Sequence, residues 1–188
     1  MIREPLLSPI GAPCNPPPWG TVAALDLNQR KILWEEPLGT TEDLFPLGIA
    51  LATGTPNFGG PVATAGGLVF IGAAMDRYLR AFDSANGAEL WRGRLPASAM
   101  ATPMTYVWHG RQYVVVAAGG HGEVGTETSD AVVAFALPEA GESTRTLWDR
   151  TIDQPGGRAA LRIGAIVAGV VSLVALLWRW RWRRGHRA

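Results

Sequence analysis

One cysteine, Cys14, is the whole thiol complement of these 188 residues. It cannot close an intrachain disulfide, and without a second thiol there is no CxxC metal or redox site. Its place in a proline-rich stretch marks it as a small loop residue. Histidines number only three, and no set of His, Cys and carboxylates has metal-ligand spacing. Neither a phosphate-binding glycine loop nor a Ser/His/Asp arrangement is present. Charge is also sparse, at 18% against 47% apolar residues, which excludes disorder for most of the chain and leaves enough apolar surface for a core. The near-neutral total conceals a split. Residues 1–157 hold ten basic and sixteen acidic residues, net −6, whereas residues 158–188 hold seven arginines and no acid. An acidic body argues against nucleic acid as a partner.

The N-terminus, MIREPLLSPIGAPCNPPPWG, has no charged segment followed by an apolar run, so no signal peptide is expected. The one long apolar run lies at the other end. Sixteen uncharged residues, Ile163 to Trp178, are followed by Arg179, Trp180, Arg181, Trp182, Arg183 and Arg184. As a helix they reach about 24 Å, and Ala159 to Leu161 extend them toward the roughly 30 Å of a bilayer core. A membrane span is therefore expected over 159–180, with a basic cytoplasmic tail at 181–188 by the positive-inside rule. The body would face the opposite, periplasmic side. The alternative is a buried core helix with a solvated tail. Residues 139–158 are polar, end in Pro-Gly-Gly and read as a linker.

What the sequence has in abundance is punctuation: 37 of 188 residues are Gly or Pro, spread between short apolar runs. That pattern predicts an all-β chain with many turns. It also repeats. AALDLNQRKILW (Ala23–Trp34) superposes on RAFDSANGAELW (Arg80–Trp91) at an offset of 57, aligning Ala24 with Ala81, Asp26 with Asp83 and Trp34 with Trp91. A weaker third copy starts at Ala134 and Phe135 and lacks the aspartate. Around the second copy four strands are predicted, GGPVATAG, GGLVFIGAA, RYLRAFD and AELWRGRL, with Asn86-Gly87 as the strongest hairpin signal. Further strands follow at ATPMTYVW, RQYVVVAAGG and AVVAFALP. One complete four-stranded unit and two partial ones are expected, and such units at this spacing are propeller blades. Mechanically, an indole ending one blade's outer strand can lie flat on its neighbour's backbone, which needs a small residue such as Ala at the contact.

The repeated residues resemble the tryptophan-docking motif of quinoproteins, with Gly87 at the glycine position in the second copy and Arg30 there in the first. More specifically, LSPIGAPCNPPPWGTVAALDL, GTPNFGGPVATAGGLVFIGAAMDRYLRAFD, LPASAMATPMTY and QYVVVAAGGHGEVGT resemble the C-terminal region of membrane-bound PQQ-dependent glucose/quinate/shikimate dehydrogenases, over roughly Leu7 to Pro138. The resemblance implies that residues 1–138 form two to three blades of an eight-bladed periplasmic propeller in the bacterial inner membrane. It implies pyrroloquinoline quinone and Ca²⁺ as cofactors, held on the propeller axis only when the propeller is complete. It implies a sugar or polyol substrate and ubiquinone as electron acceptor. Most of the metal and cofactor ligands, and the N-terminal membrane helices, belong upstream of the matched region. The missing blades are therefore expected as a partner, either joined to this chain or as a separate one, and the chain by itself is expected to be inactive. A non-catalytic membrane-anchored remnant or interaction module is the alternative.

Two residues stand where the family places polar groups near the cofactor face: Asp76, in the Met-Asp step, and His121, after Gly119-Gly120. An orienting or substrate-contacting role is expected for this pair, the general base lying upstream. Asp76 reads equally as a turn residue closing a hairpin. Asn57, Phe58, Gly59 and Gly60 form a loop where related alcohol dehydrogenases set an aromatic near the quinone, so these four are the cofactor-binding candidates; Phe58 could also be a packing residue. No metal ligand is assigned. His109 is expected in a solvent-facing turn and His186 in the basic tail.

Overall fold

The computed structural model describes residues 6–9 and 11–137. The expected linker, membrane span and basic tail lie outside the described residues. Among the described residues no helix is long and apolar enough to cross a membrane; the helical turns are two short 3-10 segments, Pro46–Gly48 and Gly122–Val124.

Among the described residues nine strands form three antiparallel sheets. The first pairs β1 (Thr21–Asp26) with β2 (Lys31–Pro37). The second is a four-stranded meander of β3 (Val62–Ala63), β4 (Leu68–Ile71), β5 (Tyr78–Asp83) and β6 (Glu89–Arg94). In the third, β7 (Met104–Trp108) and β9 (Ala131–Ala136) flank β8 (Arg111–Ala118). One complete unit lies between two partial ones, as the turn spacing predicts.

The sequence repeat is a structural repeat as well. Ala24 lies across the ladder from Trp34 and Ala81 from Trp91, and both hairpins carry an irregularity at the next residue. The aspartates close the turns: Asp26 Oδ1 accepts the amides of Asn28 and Gln29, and Asp83 Oδ1 accepts that of Ala85. Four residues after each aspartate the chain needs a left-handed conformation, adopted by Gly87 at φ 76° and by Arg30 at φ 52°.

Each unit is sealed to the next by an apolar layer with a tryptophan at its margin. Val22, Leu38, Ile71, Ala73, Ala74 and Phe82 are buried between the first and second units, with Trp34 packed against them. Leu79, Leu95, Ala99, Val114, Val116 and Ala118 are buried between the second and third, joined by Trp91 and Phe135, whose rings meet edge to face at 5.0 Å. Trp34 donates its indole N–H to the Ser84 carbonyl at 2.9 Å. Its ring lies so close to Gly87 that a methyl there would approach to 2.7 Å. This corrects the expected mechanics: the bare backbone that receives the indole is at Gly87, while the alanine of the motif sits opposite the tryptophan in its own hairpin.

Central strand β5 is buried on both faces. Leu79 faces the third unit, and Tyr78, Arg80 and Phe82 face the first. A strand flanked by two sheets has no solvent side, so Arg80 must bring a counter-charge with it.

Candidate functional site

Four connections are knitted into one patch: residues 54–60 before β3, 72–77 between β4 and β5, 95–102 between β6 and β7, and 119–130 between β8 and β9. Phe58 N–H donates to the Ala73 carbonyl, Ala73 N–H to Ala99, and Gly120 N–H to Ser98. Side chains reinforce the weave. Thr55 Oγ1 accepts the Met75 amide, Thr102 Oγ1 accepts that of Gly60, and the Ser98 hydroxyl donates to the Met75 carbonyl. Gly72 packs directly on Ala99, where a Cβ would come within 2.7 Å.

On this patch the structure brings together two of the expected site residues, 63 positions apart in sequence. The rings of Phe58 and His121 stack with centroids 5.5 Å apart and planes 19° from parallel. Phe58 keeps 44% of its surface exposed and His121 is half-buried. Nδ1 of His121 is buried and meets no hydrogen-bond partner among the described residues. The backbone beneath it is firmly held: His121 N–H donates to Thr126 Oγ1 at 2.7 Å, and its carbonyl accepts the Val124 amide at 3.2 Å. Gly120 takes φ 66° and lies against the Glu127 carbonyl, which would meet an added Cβ at 1.9 Å. Glycine before His121 therefore admits the returning arm of its own loop.

Asp76 is placed differently. Its carboxylate is fully buried and accepts four hydrogen bonds, from Thr40 N–H at 2.7 Å, Thr40 Oγ1 at 3.0 Å, Arg80 Nη1 at 2.9 Å and Arg80 Nη2 at 2.5 Å. No hydrogen bond joins it to His121 among the described residues. Its partner Arg80 also faces Glu89, at 3.3 Å. Burial would lower the Arg80 pKa, but the Asp76 charge and hydrogen bonds, with Glu89 behind them, carry it upward, so the guanidinium stays charged. This buried pair ties the connection before β5 to the segment that leaves β2.

The other expected residues serve the weave. Asn57 donates from Nδ2 to the Thr21 carbonyl in β1, and its Oδ1, close over Gly20, is buried without a hydrogen bond. Gly59 adopts φ 106° beside the Met100 carbonyl. Gly60 is the donor to Thr102. His109 lies in the exposed β7–β8 turn with φ 49°, edge-on to Trp108. His186 lies outside the described residues.

Sequence reasoning missed the charged cluster beside the patch. Glu42 accepts the Tyr78 hydroxyl, and Arg94 makes a two-pronged pair with Asp43. Arg80, Arg92 and Arg94 all lie near the Tyr78 ring. Alternation along β5 held the signal, since it sets Tyr78 and Arg80 on the same inward face as Phe82.

Among the described residues no three His, Cys, Asp or Glu side chains gather as a metal site. A divalent cation does not fit here. The stacked phenyl and imidazole, the first exposed and the second half-buried, offer an aromatic surface of the kind that a planar or hydroxylated organic molecule can lie against.

Comparison with known proteins shows the family. Residues 1–114 match the family model described as glucose/ethanol/alcohol dehydrogenase, beta-propeller domain, of the PQQ family. The quinoprotein glucose dehydrogenase of Escherichia coli is 49% identical over 140 residues, which is 72% of this chain and 18% of that protein. The quinate/shikimate dehydrogenase (quinone) of Acinetobacter baylyi is 48% identical over 141 residues, 72% of this chain and 17% of that one. Among solved structures, the quinohemoprotein alcohol dehydrogenase of Comamonas testosteroni aligns with 72% of this chain and 20% of its own, at 26% identity and a TM-score of 0.48. The chain thus spans less than a fifth of the length of these curated relatives. With a family match over more than half its length and these identities, it belongs to the PQQ-dependent quinoprotein dehydrogenases and carries part of their β-propeller.

Proposed function

We propose that this chain is the C-terminal part of a PQQ-dependent dehydrogenase that oxidises a hydroxyl of a sugar or polyol and passes the electrons to ubiquinone. Its blades stand in the periplasm, and residues 159–180 anchor it in the inner membrane. The relatives' names support the substrate class, and the arginine-rich end after the apolar run supports the topology. Activity requires the remaining blades, whether on the same polypeptide or another, because this chain spans less than a fifth of the length of its curated relatives and its described residues hold no cluster of three metal-ligating side chains.

The observation that carries the reading is the Phe58–His121 stack, with the Phe58 ring exposed beside it. Pyrroloquinoline quinone, when bound, supplies the two-electron acceptor chemistry. This chain's residues bind and orient. The exposed Phe58 face offers an apolar platform, and the half-buried His121 imidazole beside it can donate or accept one hydrogen bond at a hydroxyl. Asp76 acts from behind as a positioning residue, keeping the connection before β5 in place through Arg80 and Thr40. The calcium ligands and the general base come from outside the described residues.

The test is His121→Ala in the completed enzyme, beside Trp91→Ala. Losing one orienting hydrogen bond should lower kcat/KM about tenfold with the thermal midpoint nearly unchanged. Trp91→Ala should cost about 3–5 kcal/mol of stability, and the folded remainder should keep wild-type kinetics. If His121→Ala lowers the midpoint as far as Trp91→Ala does and leaves the kinetics intact, the histidine is structural and the reading fails.

A further inference from the structure

Arg77, the residue after Asp76, reaches segments from all three units. Its N–H donates to Asp43 Oδ2 at 3.1 Å, and its Nε lies 3.8 Å from Asp43 Oδ1, on the segment leaving the first unit. Nη1 donates to the Pro96 carbonyl at 3.2 Å, on the connection from the second unit to the third. Nη2 pairs with Glu127 Oε2 at 2.5 Å, on the returning arm of the loop that carries His121. The same Glu127 presses its backbone on Gly120, immediately before His121.

From this chain of contacts we infer that Arg77 is a positioning residue: through Glu127 it holds the 119–130 loop closed, and so keeps the His121 ring stacked on Phe58. Two contacts on the guanidinium, Nε facing Asp43 and Nη1 donating to the Pro96 carbonyl, hold it before it meets Glu127, so the last contact loses little side-chain freedom. Thr126 and Ser129 secure the base of the loop, through the His121 amide and the Gly119 carbonyl respectively. Glu127 is a side chain that bonds the loop's outer arm to another unit, and it is 63% exposed. An exposed ion pair adds little to global stability, but the small free energy it supplies is of the size that sets the opening of a surface loop. The clasp must also weaken in salt, because its outer end is in water. The consequence for substrate rests on the reading of His121 given above; the clasp itself does not.

The experiment uses the full chain, with hydrogen exchange resolved over 119–130 and the His121 ring-proton shift, which reports the Phe58 ring current. Glu127→Gln and Arg77→Met should each speed exchange of the loop about two- to fivefold and move the His121 shift toward its unstacked value. The double variant should add nothing further, Arg77→Lys should recover part of the effect, and high salt should reproduce it in the parent chain. Peptides from β5 and β8 should be unaffected. Glu127→Gln, at an exposed side chain, keeps the test valid if Arg77→Met fails to fold. Unchanged loop exchange and an unchanged His121 shift in Glu127→Gln would overturn the inference, as would faster exchange spread evenly over all three sheets. If His121→Ala leaves the completed enzyme's kinetics intact while the loop responds as stated, the clasp stands and the substrate-contacting role alone falls.

Discussion

Asp76 and His121 are both polar loop residues beside glycine-rich strands, yet their surroundings give them different work. Both oxygens of the Asp76 carboxylate accept hydrogen bonds, four in all, while the imidazole of His121 keeps a buried nitrogen without a partner among the described residues. Asp76→Ala should therefore act on the fold first. It strands the buried Arg80 guanidinium, and removing one member of a buried pair costs about 3–5 kcal/mol. Asp76→Ala combined with Arg80→Met should lose less than Asp76→Ala alone, as measured by denaturant unfolding. Asp43 supplies a pH dependence. Burial alone would raise its carboxyl, but the Arg94 hydrogen bond and charge, with Arg77 beside them, hold it below its ordinary 3.8. A depressed carboxyl contributes stability that is fully present above the unfolded-state value and is lost as pH falls through the folded one. Asp43→Asn should thus flatten the loss of stability on acidification below about pH 4 while changing the shape of the curve little at neutral pH. The individual site residues were visible in sequence as polar groups beside glycines. Their partners were not, because Thr40 is 36 positions from Asp76 and Phe58 is 63 from His121, and only the meander brings them together.

At the scale of elements the sequence was more legible. Gly, Pro and Asn-Gly steps cut the chain into strands because each supplies a turn conformation that a strand interior rejects. The repeat marked the equivalent hairpins because the same aspartate turn and the same indole contact recur. Its mechanical meaning needed coordinates, since a spacing of ten residues does not say whether the alanine serves its own hairpin or the neighbouring one. Gly87 and Arg30 offer a matched pair of tests. Gly87→Ala meets both a left-handed backbone and the Trp34 ring, so it should destabilise by more than the 1–2 kcal/mol that a left-handed conformation costs an ordinary residue. Arg30→Gly removes that conformational cost at an exposed turn and should stabilise by up to about 1 kcal/mol. Thermal midpoints of the two variants check both signs.

For the whole molecule the decisive count is of strands. The second unit has four, whereas the first has two and the third three among the described residues. Strand β5 is paired on both sides; its counterparts β1 and β9 are each paired on one among the described residues. Unpaired edges of this kind are filled by other strands or lead to aggregation. The sequence foretold one complete unit and two partial ones from turn spacing, and the chain spans less than a fifth of the length of its curated relatives. The most direct test is PQQ- and Ca²⁺-dependent dye reduction by the purified chain, with and without the remaining blades of the propeller supplied. The account predicts no turnover by the chain alone, and turnover with a sugar or polyol once the propeller is completed. Robust turnover by the chain alone would contradict it.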